Sequence, residues 1–325
     1  MEKLKAWLKK NMVIVFLIGL CIGFGVTTDT FFTTKNVMNL TSQMAINALL
    51  ATGLTYVIIL GGIDISVGSV AALAGVFSAM VGLMFPNMSV FLSIIILIVS
   101  SLIIGGICGF FNGIMITKFK VVPMITTLAT MTIARGVTYI VTGGTAVFGL
   151  PTQFSWLGAG RLLVTDSHPN GIIPIITLFT IIVVALMHIL LSKTVFGRHV
   201  YATGSNLQVA HLSGINTNRV ILKSHILCSI MAALGGVLVA SKLQNGQPGA
   251  CEGYEMYAIA STVLGGTSLS GGSGSVGRAM FGVAIIAVIN NGMNLLSISS
   301  YWQKVVIGSI ILLAVIFDMS QKKKA

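Results

Sequence analysis

Long apolar runs separated by short polar segments dominate the chain. An α-helix needs about 20 consecutive apolar residues to cross the hydrocarbon core of a bilayer. Ten segments meet or approach that length, at about 11–29, 41–60, 67–85, 89–116, 121–143, 171–191, 219–240, 255–271, 275–295 and 301–318. The second, third and eighth are the weakest, because glycine and polar residues break their ends. The fold class expected is all-α: a polytopic transmembrane helix bundle of about ten spans, forming a single domain over residues 1–325.

The basic residues sit between these runs, and unevenly. With the N-terminus inside, the inner segments carry Lys3, Lys5, Lys9, Lys10, Lys118, Lys120, Lys193, Arg198, Arg219, Lys223, Arg278, Lys322, Lys323 and Lys324. The outer segments carry Lys35, Arg161, Lys242 and Lys304, and Arg135 falls within a span. A bias of this size orients a membrane protein with its positive loops inside. It implies cytoplasmic N- and C-termini and an even number of spans; eight or twelve satisfy it as well as ten. The run from Met12 to Val26 follows four lysines like a signal peptide, but no Ala-x-Ala-like site comes after it, so an uncleaved first span is expected.

Composition agrees with lipid as the main solvent. Hydrophobic residues make up 55% of the chain and charged residues 8%, against about 25% charged in a soluble domain. The 37 glycines suit close helix packing, because lipid gives apolar faces no reason to associate. A soluble multidomain enzyme is excluded. The net charge of +12 belongs to the loop bias and forms no basic stripe with interleaved aromatics, so no nucleic-acid partner is expected. Cys21, Cys108, Cys228 and Cys251 are scattered and read as small packing residues.

Two polar segments stand out. Residues 192–218, SKTVFGRHVYATGSNLQVAHLSGINTN, form an inner loop too polar for lipid and too short for a domain; such a loop either solvates a turn or docks a partner. The outer stretch 144–170 holds Pro151, Trp156, Arg161, Asp166 and Pro169, which suggests an ordered cap. There is also an internal echo. Residues 60–69, LGGIDISVGS, and 264–273, LGGTSLSGGS, share six of ten positions. This is either coincidence in a Gly/Ser-rich chain or a repeat at corresponding span junctions. Broken helices there would free backbone groups that must be paired by protein or line a watery path.

Several motifs fail in context. GSGSVG at 272–277 has the spacing of a dinucleotide fingerprint, but an apolar span precedes it, and Asn290 and Asn291 stand near the position where an acidic residue belongs. No Gly-Lys-Ser or Gly-Lys-Thr occurs, so no Walker A loop is present and ATP-driven work must come from a partner. His168, His188, His199, His211 and His225 lack HExxH spacing and read as solvated or interfacial. Seven dispersed carboxylates give no nucleophile–base–acid set. No enzyme and no cofactor are expected.

Polar groups inside spans carry more weight, because an ionisable side chain at the bilayer centre costs roughly 2.5–3.5 kcal/mol on insertion scales. Arg135, in TIARGVTYIVTGG, and Asp64, in GGIDIS with Ser66 beside it, are candidates for a polar substrate pathway or gate. Asp64 is equally well explained as a helix cap. Asn290, Asn291 and Asn294 share a helix face; they suit sugar hydroxyls or interhelical hydrogen bonds. Gly105, Gly109 and Gly113 form a small-residue ridge, for a dimer seam or for packing within one chain.

At these motifs the chain resembles the ribose-type permease family of ABC importers, over nearly its whole length. The resemblance rests on VIILGGIDISVGS at 57–69, TTLATMTIARGVTYIVTGG at 126–144, GRHVYATGSN with LSGI at 197–206 and 212–215, and GYEMYAIASTVLGGTSLSGGSG at 253–274. NNGMNLLSISSYWQ at 290–303 is most similar to the family's ribose members. Leu207 and Gln208, Met256 and Tyr257, and Ser273 depart from the usual pattern. The resemblance implies a permease in the bacterial inner membrane that pairs with a second copy. It also implies an ABC ATPase at the cytoplasmic face and an extracytoplasmic sugar-binding protein that delivers a monosaccharide, ribose first. Gly204, Asn206, Leu212, Ser213 and Gly214 match the segment that couples to the ATPase. The rival readings are an ion-driven secondary transporter, a membrane-embedded enzyme, and a permease of the same superfamily for nucleosides or branched amino acids.

Overall fold

The computed structural model describes residues 12–163 and 171–322. The four N-terminal lysines, Asp166, His168, Pro169, Lys323 and Lys324 lie outside the described residues. Each of the ten apolar segments holds a helix, and in the eighth it fills only the first part: α1 (Met12–Thr27), α2 (Thr34–Ile59), α3 (Val67–Leu83), α4 (Val90–Thr117), α5 (Pro123–Thr142), α7 (Ile175–Lys193), α10 (Thr217–Leu243), α11 (Tyr254–Leu264), α12 (Val276–Leu295) and α13 (Ser300–Lys322). A one-turn helix α6 (Trp156–Ala159) and two short helices, α8 (Val195–Ser205) and α9 (Leu207–Leu212), lie between them. By length and apolar composition, α2, α4, α5, α7, α10 and α12 can cross a membrane.

Local chemistry sets the helix ends. The Thr33 hydroxyl accepts the Asn36 N–H, and Ser89 accepts that of Leu92, capping α2 and α4; each satisfies a donor that the first turn leaves free. Pro123 opens α5, where its missing N–H costs nothing, and Gly143 closes it in the left-handed conformation. The Thr33 cap also starts α2 seven residues before the apolar run at 41, because the cap rather than apolar run length sets the helix start.

The eighth segment departs from expectation. Instead of a span over 255–271, α11 has 11 residues and ends at Leu264. At 1.5 Å per residue it is about 16 Å long, half the roughly 30 Å core. The chain turns at Gly265–Gly266 and stays irregular to Ser275. The first echo copy also breaks the chain, between α2 and α3, with one left-handed glycine, Gly61, where the second has three, Gly266, Gly271 and Gly272. The segment 192–218 is likewise not an open loop: α8 and α9 form a helical hairpin joined at Asn206, whose side chain accepts the N–H groups of Gln208 and Val209.

Helix α10 is the axis of the bundle. It lies along α4, α3 and α2, with buried residues from Val220 to Ser241. The glycine ridge explains the closest of these contacts. A Cβ on Gly105 would stand 2.6 Å from the Ile230 Cα, on Gly109 2.5 Å from that of Ile226, and on Gly113 2.9 Å from that of Leu222. Three glycines four residues apart on α4 thus meet three α10 residues four apart, and the ridge packs within the chain. Helices α12, α11, α1 and α13 form a second group joined through α2.

The stretch after α5 is ordered where it is described. Phe154 is buried, and Ser241 Oγ at the end of α10 donates to its carbonyl at 2.6 Å while accepting the Gly158 N–H at 2.9 Å. Two short antiparallel strands, β1 (Arg161–Leu162) and β2 (Ile173–Pro174), pair Arg161 with Pro174.

Candidate functional site

The break between α2 and α3 carries the densest buried polar cluster around the predicted site. Asp64 is 0% exposed. Its Oδ1 accepts the Ser66 N–H at 2.9 Å and the Ser66 hydroxyl at 2.5 Å, so it stabilises the start of α3 by completing donors that the helix leaves free. Ser66 Oγ in turn accepts from Asn112 Nδ2 on α4 at 3.3 Å, and Asn112 Oδ1 accepts from Thr130 on α5 at 2.5 Å. Thr127, one turn earlier on α5, accepts the Ile65 N–H and donates to the Ile63 carbonyl, both at 3.2 Å. The irregular backbone is therefore paired by Thr127 of α5 and by Asp64 itself, as buried non-helical backbone requires, while Asn112 of α4 holds the Ser66 side chain. From α10, His225 presents Nδ1 at 3.6 Å from Asp64 Oδ2 and is itself 2% exposed.

Arg135 lies two turns further along α5. Its Nη1 donates to the carbonyls of Pro248 and Ala250, at 2.6 and 2.9 Å. Those carbonyls belong to the segment that leads from α10 into α11, so the guanidinium ties the start of the half-helix to α5. Glu255, in the first turn of α11, is 7% exposed, within electrostatic range of Arg135. Its carboxylate lies against Gly68 in the first turn of α3, where a negative charge complements the helix dipole. Two carboxylates and two basic side chains thus surround the start of α3.

The predicted residues divide into three places. Asp64 and Ser66 share the cluster, and Arg135 adjoins it across α3 and α11. The asparagines are elsewhere. Asn291 exchanges two amide hydrogen bonds with Asn36 of α2, each 2.9 Å; Asn294 is exposed and accepts from Gln303 at 2.6 Å; Asn290 is half-buried, with its Oδ1 sealed from solvent and without a hydrogen-bond donor. The hairpin residues form the third place. Asn206, Leu212, Ser213 and Gly214 are exposed, Leu212 by 86%, whereas Gly204 turns inward against the end of α2.

Asn112, Thr127, Thr130, His225 and Glu255 were not among the predicted site residues. His225 corrects an expectation: it is buried, not solvated or interfacial. All but Glu255 carried a signal. Asn112 interrupts an apolar run, Thr127 and Thr130 share a helix face, and His225 follows Ser224 on a segment whose next turns are apolar.

A helix bundle broken twice within its apolar depth, with a buried polar centre and a polar helical hairpin between two long apolar helices, defines a polytopic membrane permease. A family model described as the permease component of branched-chain amino acid transport systems matches residues 36–315, and the chain belongs to this family. It is 41% identical to the ribose import permease protein of Bacillus subtilis (strain 168), over 94% of this chain and 91% of that protein. Identity to the ribose import permease protein of Escherichia coli (strain K12) is 36%, over 97% and 95%. To that of Haemophilus influenzae it is 39%, over 89% and 86%. No solved structure matches the chain.

Proposed function

We propose that this chain is the membrane subunit of an ABC importer that carries a monosaccharide, ribose, into the cytoplasm. The observation that carries this reading is its near full-length identity to a ribose import permease. It is a multi-pass protein of the bacterial inner membrane and performs no chemistry on its cargo. The inner-face lysines and arginines support cytoplasmic termini and about ten membrane-embedded helices, with α11 entering only part of the depth. A second copy of the chain completes the channel. The extracytoplasmic sugar-binding protein docks over the cap that includes Phe154, and the ABC ATPase binds the exposed side of the α8–α9 hairpin through Asn206, Leu212, Ser213 and Gly214, with Gly204 behind them.

The polar cluster gives the mechanism a centre. Asp64, Ser66 and Arg135 flank the route at two broken helices, and Asn290, Asn291 and Asn294 lie at the opposite, outer end of α12. ATP binding closes the ATPase pair and displaces the hairpin, and the helices joined at the breaks tilt between outward- and inward-open states. A ligand shifts such an equilibrium only by its differential affinity for the two states, so a weak sugar site suffices and the binding protein supplies selectivity.

Co-expression with an ABC ATPase and a ribose-binding protein of the same importer, followed by uptake of labelled ribose into proteoliposomes, tests this. ATP-dependent uptake that survives collapse of the proton and sodium gradients is expected, with unlabelled ribose competing better than other pentoses and hexoses. Uptake that stops with the gradients and ignores ATP would make Asp64 and Glu255 ion-coupling carboxylates and the chain a secondary transporter.

A further inference from the structure

The hairpin touches the membrane-embedded helices along one side of α8. Phe196, Val200, Tyr201 and Gly204 follow helical spacing and share a face. Phe196 stacks on Tyr56 of α2, with ring centroids 6.2 Å apart, and Val200 is buried. The Tyr201 hydroxyl donates to the Gly274 carbonyl at 2.8 Å. Burial pushes that hydroxyl above its usual range, so it stays protonated and keeps donating.

At Gly204 the approach is tighter still. A Cβ there would overlap the Ile59 carbonyl and stand 3.0 Å from the Gly272 nitrogen. The same Ile59 carbonyl accepts the Gly272 N–H at 2.8 Å. Ile59 is the last residue of α2, immediately before the first echo copy, and Gly272 lies in the second. The hairpin, the α2–α3 break and the α11–α12 break therefore meet at one carbonyl, backbone against backbone, with no flexible side chain between them.

We infer that Tyr201 and Gly204 are positioning residues of the transport cycle, which tie the hairpin to both helix breaks so that displacing α8 moves the two breaks together. This rests on the reading of the hairpin as the ATPase's handle and adds the route by which its motion reaches the polar centre. A contact through side chains alone would yield when the hairpin moved; a glycine seated on a carbonyl cannot, because close-packed interiors transmit displacement.

The test uses the complete importer, with permease, ATPase and binding protein together in proteoliposomes, and reads sugar moved per ATP hydrolysed. Tyr201→Phe removes one hydroxyl and no volume. It is expected to keep the ATPase bound and hydrolysing while transport per ATP falls about three- to ten-fold, the equivalent of one hydrogen bond. Gly204→Ala forces α8 off Ile59 and is expected to lower the ratio by about ten-fold or more, as overpacking does. An unchanged ratio in Tyr201→Phe overturns the inference, and that variant decides alone if Gly204→Ala fails to reach the membrane. A wild-type chain that imports sugar without the ATPase rejects the handle reading and this inference with it.

Discussion

His225 Nδ1 lies 3.6 Å from Asp64 Oδ2, with both side chains sealed from solvent. The pair joins the central helix α10 to the start of α3, and Asp64 serves two roles through its two oxygens. Oδ1 caps α3 and Oδ2 faces the imidazole. The capping and pathway explanations of Asp64 are therefore compatible. Replacing Asp64 by alanine removes both contacts and is expected to cost about 1–3 kcal/mol, as leaving buried donors without their acceptor does. Asp64→Asn keeps an oxygen for the Ser66 N–H and should retain about 1 kcal/mol of cap energy that alanine loses. Thermal unfolding in detergent measures the difference; equal melting of the two variants removes the cap from the account.

Arg135 tests the second break. Its guanidinium serves the Pro248 and Ala250 carbonyls from one nitrogen. Arg135→Ala strands both, at about 1–3 kcal/mol for each buried group left unpaired. Arg135→Lys keeps the charge as a more compact donor without the planar fork, so it should restore part of the stability. Expression-normalised uptake is expected to fall strongly in the alanine variant and less in the lysine variant. Wild-type uptake in Arg135→Ala would reduce the residue to a dispensable loop contact.

The helices were legible in the sequence because apolar run length and end signals such as Ser89, Pro123 and Gly143 act locally. The half-helix α11 was legible only in part: glycine and polar residues mark 255–271 as a weak span, but where the helix stops, at Leu264 before Gly265–Gly266, is set by the fold. Asp64, Ser66 and Arg135 were found because charge or polarity inside an apolar run is costly wherever it occurs. Their partners were hidden for different reasons. His225 sits beside a polar segment in sequence and inside the bundle in space. Asn36 lies 255 residues from Asn291, and nothing local to either announces the pair. The echo was visible as letters, whereas the meeting of its two copies at Ile59 required the fold.

The Asn36–Asn291 pair separates packing from transport. Each amide is buried and satisfied by the other, so Asn36→Leu or Asn291→Leu alone leaves one amide without its partner, at a cost of about 1–3 kcal/mol. Replacing both by leucine removes the unpaired amide, although the Phe31 carbonyl, to which Asn36 Nδ2 also donates at 2.8 Å, loses its donor whenever Asn36 is replaced. The double variant is expected to be more stable than the two single losses added together, by about 0.5–3 kcal/mol of coupling. Thermal unfolding of the four proteins completes the cycle, and ribose uptake by the double variant is expected to stay near wild type. Lost uptake in a stable double variant would return Asn291 to the substrate route.

Leu212 tests the docking face. A leucine 86% exposed at the end of a polar hairpin is free to serve as an anchor, and apolar anchors in pockets dominate the energy of protein contacts. Leu212→Glu places a charge where the ATPase would have to desolvate it, while nothing within this chain packs against that side chain tightly enough to disturb the fold. The ATPase recovered with the permease should fall about ten-fold or more, as loss of an anchor residue implies, with membrane insertion unchanged. Gly214 offers a second probe of the same turn. Its φ is +84°, so any bulky replacement strains the backbone that presents Leu212, and Gly214→Val is expected to release the ATPase as well. Undiminished co-purification in both variants would place the motor elsewhere on the permease. A cysteine at Ser213, which is exposed and adjoins both residues, fixes the side: modification by a membrane-impermeant reagent is expected only in inverted vesicles, and modification in right-side-out cells would turn the hairpin to the wrong face of the membrane.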